Sequence, residues 1–70
     1  MGDEERAIRA ELAEHGYAGE RVEVRVLGDP QAPVRHWTVI LWDGQGQPIR
    51  PPLIGTLAEV LARIAAFPAA

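Results

Sequence analysis

The stretch TLAEVLARIAAF, residues 56–67, is the strongest structural signal in the chain. Its opening T-x-x-E matches a capping box, in which Thr56 and Glu59 each bond a free backbone N–H of the other. The apolar residues that follow recur at helical spacing and share one broad face: Leu57, Val60, Leu61, Ile64 and Phe67. The pattern therefore predicts a closing amphipathic helix over 56–67, which ends before Pro68 and covers a core.

Strand periodicity dominates the middle of the chain. Residues 21–27 alternate valines with charged side chains, which predicts a strand with one buried face. Residues 34–42 are rich in β-branched and aromatic side chains and predict a second strand, after a loop that contains two prolines. Residues 47–50 follow a glycine-containing turn and predict a short third strand, which Pro48 would place at an edge of the sheet.

The N-terminal segment predicts a helix from Asp3 to about His15. Asp3 would cap the first turn, and Ile8, Leu12 and His15 fall on one stripe at helical spacing. The glycine after His15 is suited to a left-handed helix stop, and Tyr17 would then fold back onto Leu12.

Together these elements predict a single α+β domain over residues 1–70, with the order α-β-β-(β)-α. We expect a small antiparallel sheet that is packed on one face by both the N-terminal and the C-terminal helix. The predicted core consists of thirteen side chains: Ile8, Leu12, Val22, Val24, Val26, Trp37, Val39, Leu41, Leu57, Val60, Leu61, Ile64 and Phe67.

The size of the chain points to a partner. Seventy residues are near the lower limit for unaided folding, because a short chain buries a small share of its surface. The sequence has no Cys for disulfides, and two His, His15 and His36, are too few for a zinc site. We therefore expect a second subunit, rather than a metal or another cofactor, to supply the missing stability.

Composition gives an expectation of origin and location. Ala, Arg, Gly and Pro are abundant while Lys, Ser and Asn are absent, which indicates a bacterial genome of high GC content. The lack of heat-labile Asn and Cys would suit a thermophile, but codon bias explains the same composition. An acidic N-terminus and the lack of a long apolar run predict a cytoplasmic protein with no membrane segment.

The predicted second strand is apolar on both faces. Its odd-numbered residues would face the core, and its even-numbered residues point the other way: Val34, His36, Thr38, Ile40 and Trp42. Three interpretations follow: the helices lie on opposite faces, the segment 51–54 folds over this side, or the side is an exposed partner surface. In the last case the interaction residues are Ile40 and Trp42, with His36, Thr38 and Arg50 at the rim.

Arginines near the sheet suggest a different kind of surface. Arg21 and Arg25 share the outer face of the first strand, and Arg35 begins the second. Arg and Trp on an open sheet can bind nucleic acid through phosphate contacts and base stacking. Glu23 lies between the first two arginines, and the net charge of −3 also weighs against this interpretation.

Catalysis has little support in the sequence. Ser and Cys are absent, and Thr56 is explained as a helix cap. His36 beside Arg35 could act as a general base in a ribonuclease, but a histidine on a strand edge has a simpler structural explanation. Glu11 and Glu14 lie near arginines and predict a solvated, salt-bridged helix face rather than a metal site. We expect no enzymatic activity.

The sequence thus predicts a non-catalytic protein-interaction module, which associates with a second copy or another protein through the open face of its sheet. The alternative is a small nucleic-acid-binding accessory protein that uses Arg and Trp on the same sheet.

Overall fold

A computed structural model describes residues 2–67. The elements are helix α1 (Asp3–Glu14), a 3-10 turn (Gly19–Arg21), strands β1 (Val22–Leu27), β2 (His36–Leu41) and β3 (Leu53–Thr56), and helix α2 (Leu57–Ala65). The strands form one antiparallel sheet in the order β1-β2-β3. The predicted α+β class and element order are confirmed. Pro68, the predicted helix stop, lies outside the described residues.

Both helices pack on the same face of the sheet. The alternate residues of β1 and β2 that are buried join apolar residues of α1 and α2 in one core: Ile8, Leu12, Val22, Val24, Trp37, Val39, Leu41, Val60 and Ile64. The buried residues alternate along the strands and recur at helical spacing in α1 and α2, as expected from the sequence. Both sets face the interface between the sheet and the helices.

Four residues of the predicted core are only partly buried: Val26, Leu57, Leu61 and Phe67. Val26 lies near the end of β1, whereas Val22 and Val24 of the same strand are buried. Tyr17 and Leu53 pack against the same core, although the sequence placed both in connecting segments.

The capping box of α2 is present as predicted. The N–H of Glu59 donates to the Thr56 hydroxyl at 3.3 Å, and the N–H of Thr56 donates to the Glu59 carboxylate at 2.9 Å. The helix ends at Ala65, earlier than the predicted Phe67, and Phe67 itself still packs against the core.

The start of α1 differs from the prediction. Asp3 lies inside the first helical turn, and the cap residue is Gly2, which has a φ of 82° and makes no side-chain cap bond. Asp3 therefore contributes its charge to the first turn, where it suits the helix dipole. The end of α1 agrees with the prediction: the N–H groups of Gly16 and Tyr17 bond the carbonyls of Ala13 and Leu12, which is a Schellman motif.

The predicted third strand at 47–50 is wrong. Only an isolated bridge between Trp42 and Pro48 forms there, and β3 lies at Leu53–Thr56, the segment expected to lead into the helix. Prolines at 48, 51 and 52 have no N–H to donate to a ladder, whereas every residue of β3 has one. β2 is also shorter than predicted, because Val34 and Arg35 lie in the preceding loop.

Candidate functional site

The face of the sheet opposite the helices, here called the open face, carries the other alternate residues of the three strands. The strand register aligns them in rows across the sheet: Glu23 beside Ile40, then Arg25, Thr38 and Ile54, then Leu27, His36 and Thr56. Trp42 continues this face beyond β2, since its N–H donates to the carbonyl of Arg21 at 2.8 Å and extends the pairing by one residue.

Apolar side chains run across the open face. Ile40 and Trp42 are half-buried, whereas Ile54 is 47% exposed and Leu27 is 49% exposed. The sequence interpretation missed Ile54, which was placed in a loop, and Leu27. The alternation of residues 23, 25 and 27 was the available signal for Leu27. Apolar side chains exposed on one face of a sheet are a feature of protein-binding surfaces.

Two of the three interpretations of this face are wrong. The helices do not lie on opposite faces, because α1 and α2 contribute to one shared core. The segment 51–54 does not fold over Ile40 and Trp42, because Leu53 and Ile54 pair edgewise with β2 as part of β3. Within the described chain, the even-numbered residues of β2 are thus left on the uncovered side of the sheet.

The charged residues of the open face are locally compensated. Arg25 and Glu23 form an ion pair at 3.0 Å. Arg21 lies near Asp43, and its positive charge helps to lower the pKa of that carboxyl. His36 is exposed and lies near Glu59, whose pKa is lowered mainly by hydrogen bonds from Thr56. The face therefore combines apolar side chains with paired charges.

Two predicted site residues make contacts that separate them from the open face. Arg35 donates to the Pro30 carbonyl at 3.0 Å and lies 3.8 Å from the carboxylate of Glu4 in α1. The Arg50 guanidinium lies over the Phe67 ring, 4.1 Å from its centroid, against the helical layer. Arg50 is therefore not at the rim of the Ile40 and Trp42 surface. It is partly buried and makes a cation–π contact with Phe67 instead.

An aromatic cluster at the end of the helical layer was not foreseen. The Phe67 ring makes edge contacts with His15 and Tyr17, each with a centroid separation of 6.0 Å, while Arg50 covers it. The Nε of Arg50 is buried and has no hydrogen-bond partner among the described residues. This cluster connects the end of α1, the segment around Arg50 and the end of α2. It therefore holds these three parts of the helical layer together.

Backbone donors stabilise two exposed carboxylates. The N–H groups of Gln47 and Gln45 bond the Asp43 carboxylate at 3.0 and 2.7 Å, and they lower its pKa. The N–H and the hydroxyl of Thr56 lower the pKa of Glu59. Both acids therefore have structural roles as anions, in a turn and in a helix cap.

No group of three or more His, Cys, Asp or Glu side chains is placed to hold a metal ion within residues 2–67. Glu59, the acid near His36, is occupied by the capping box. Neither helix in this part of the chain has the length and apolar character needed to cross a bilayer.

Fold and surface together define a class: a small α+β domain with an uncovered, partly apolar antiparallel sheet. Comparison with protein-family models, curated proteins and solved structures gives no match.

Proposed function

We propose that this protein is a non-catalytic protein-interaction module that associates with a second copy of itself through the open face. The observation that supports the proposal most directly is that Ile40, Trp42 and Ile54 all lie on the open face, opposite to the helix-covered core. Burying such side chains against a matching surface is favourable by about 25 cal/mol per Å² of apolar area.

Compensated charge also favours a protein partner. The ion pair between Glu23 and Arg25 and the proximity of Arg21 to Asp43 leave little unpaired charge to be desolvated on this side. Trp and Arg are also enriched among the residues that contribute most to protein–protein binding.

The same contacts count against nucleic acid as the ligand. Each of the three arginines proposed for phosphate binding has an acidic neighbour: Arg21 with Asp43, Arg25 with Glu23, and Arg35 with Glu4. A phosphate would have to compete with these carboxylates, and the net charge of −3 opposes its approach.

Sedimentation velocity across micromolar to high micromolar concentrations tests the proposal. We expect the wild type to associate reversibly and the Ile54→Arg variant to form a smaller species, because the new charge would be buried in the face-to-face interface. The matched control is Ala62→Arg, which adds the same charge at an exposed position of α2 on the opposite side of the molecule and should preserve the association. Circular dichroism would establish that both variants remain folded.

Contrary outcomes are clear. A monomeric wild type over the whole range would contradict self-association, and an Ile54→Arg variant that associates as far as Ala62→Arg would contradict the use of the open face. Salt-dependent binding of a short duplex, lost when Arg21 and Arg25 are replaced by Gln, would instead favour the nucleic-acid function.

A further inference from the structure

Among residues 2–67, β1 has a free edge, because it has a neighbour on one side only in the order β1-β2-β3. The bond from the N–H of Trp42 to the carbonyl of Arg21 identifies these two as a hydrogen-bonded pair. Such pairs alternate along an antiparallel ladder, so the main-chain groups of residues 23, 25 and 27 point towards β2. The groups of the three valines between them therefore point outwards along the free edge: Val22, Val24 and Val26.

One of these outward groups is already used. The N–H of Val22 donates to the Gly19 carbonyl and closes the 3-10 turn. The unpaired run thus extends from the carbonyl of Val22 to the main-chain groups of Val26, with Val24 at its centre. β1 has no proline and no bulge to block pairing with another strand.

We propose that the free edge of β1 pairs antiparallel with β1 of a second copy, about a two-fold axis that passes beside Val24. In this register Val24 faces Val24 of the second copy, and the two exchange N–H···O bonds. The N–H of Val26 donates to the unused carbonyl of Val22 across the axis, and symmetry repeats that bond. Four bonds of this register therefore come from groups that are free. The other two, from the N–H of Val22 to the carbonyl of Val26, do not form, because that N–H already bonds the Gly19 carbonyl.

Charge complementarity on the open face selects the same register. A two-fold axis beside Val24 places Glu23 opposite Arg25 of the second copy, and Arg25 opposite Glu23. Opposite charges that face each other across strands are stabilising, whereas like charges are destabilising. The sequence of β1, VEVRVL, is therefore complementary to itself when it is reversed about its central valine.

The helix side of the edge has room for the second copy. A groove of about 330 Å³ lies between α1 and the segment that leads into β1, lined by Ala10, Ala13, Tyr17 and Val22 with Arg6 and Arg9 beside them. Val26 of the second copy would face Val22 and cover this groove, and Val26 is itself only half-buried. Arg9 is ion-paired with Glu5 at 3.0 Å, which limits repulsion between the two α1 helices.

Edge pairing joins the two sheets into one continuous sheet whose open faces lie on the same side. The inference adds to the proposed self-association, on which it rests, but it uses a different surface. Edge pairing leaves Ile54 at the outer end of each sheet, far from the axis. A variant at Ile54 therefore disrupts only face-to-face association, and a variant at residue 23 or 25 reports on the edge.

A charge-swap experiment tests the edge. In the Ile54→Arg background, where only edge pairing can form a dimer, Glu23→Arg alone and Arg25→Glu alone each place like charges opposite each other at two symmetric positions. Each should raise the dimer Kd by about tenfold or more. Adding both changes to that background recreates the complementary pairs and should return the Kd to near that of Ile54→Arg alone. Sedimentation gives the Kd, and circular dichroism of dilute samples establishes that the monomers remain folded.

Amide hydrogen exchange gives a second readout at residue resolution. The amides of Val24 and Val26 should exchange slowly at high protein concentration and faster on dilution, while those of Glu23 and Arg25, which bond to β2, should stay protected at both. If the single and double charge variants dimerise equally well and the valine amides do not respond to concentration, edge pairing is wrong. The outcome with Ile54→Arg would then still decide face-to-face association separately.

Discussion

Gly55 determines how closely the first turn of α2 approaches the sheet. A Cβ added there would lie 3.0 Å from the Cβ of Glu59 and 3.0 Å from its carboxylate oxygen. The carboxylate can rotate away, but the Cβ of Glu59 moves only with the helix. A residue in an apparently ordinary connection is therefore constrained by the packing of two elements.

We expect Gly55→Ala to lower the free energy of unfolding by about 1–3 kcal/mol, because the helix start must shift to relieve the contact. Urea denaturation measures the change. Gly44→Ala is a suitable control, since its added Cβ would make an ordinary contact of 3.5 Å with the Arg21 side chain, and we expect an effect within about 0.5 kcal/mol. Equal losses in the two variants would contradict the close approach at Gly55.

At the scale of the element, the turn after β2 explains why the third strand was misplaced. The Asp43 carboxylate binds the N–H groups of Gln45 and Gln47, so these donors hold a turn instead of extending a ladder. The chain then passes three prolines before Leu53–Thr56 pairs with β2. Residues 47–50 directly follow a glycine-containing turn, and that position favours a strand. The local sequence does not show that the Asp43 carboxylate accepts bonds from the N–H groups of Gln45 and Gln47.

This turn also predicts a pH dependence. Because the folded-state pKa of Asp43 lies below its ordinary value, its ionised form contributes stability above the unfolded-state pKa. That contribution is lost as the pH falls through the folded-state pKa. We therefore expect Asp43→Asn to be less stable than the wild type at neutral pH, with the difference shrinking as the solution becomes strongly acidic.

Thermal unfolding at a series of pH values measures this difference for Asp43→Asn. The comparison variant is Asp29→Asn, whose carboxylate accepts one backbone bond, from Gln31, rather than two. Its effect at neutral pH should be smaller. A difference for Asp43→Asn that stays constant from neutral to strongly acidic pH would show that the charge of Asp43 does not stabilise the turn.

At the scale of the whole molecule, a short chain with one helix-covered face should depend on association for part of its stability. Binding to the folded state raises apparent stability by mass action, so the melting temperature of a self-associating protein increases with concentration. We expect a tenfold increase in protein concentration to raise the wild-type Tm by about a few degrees.

Differential scanning calorimetry of the wild type at several concentrations measures that increase. The combined variant Ile54→Arg with Glu23→Arg, which should prevent both proposed contacts, serves as the reference and should have a concentration-independent Tm. The same concentration independence in the wild type would mean that the isolated domain is stabilised by its own core alone.

Residue types and their spacing were enough to predict the class and order of the elements, the capping box of α2, the glycine stop of α1 and most of the core. These features depend either on interactions between residues that are close along the chain or on apolar residues that recur at a regular spacing and so share one face. Both can be read directly from residue types. The sequence also identified Ile40 and Trp42 as residues on the far side of β2.

The surroundings of Ile40 and Trp42 depend on tertiary contacts between distant segments. The tertiary structure placed β3 at Leu53–Thr56, which brought Ile54 into the open face, and it moved Arg50 onto Phe67 in the helical layer. It also left β1 at an edge with its valine main-chain groups pointing outwards. Strand order, register and side-chain contacts between distant segments depend on how the layers pack together, and no local pattern in the sequence encodes them.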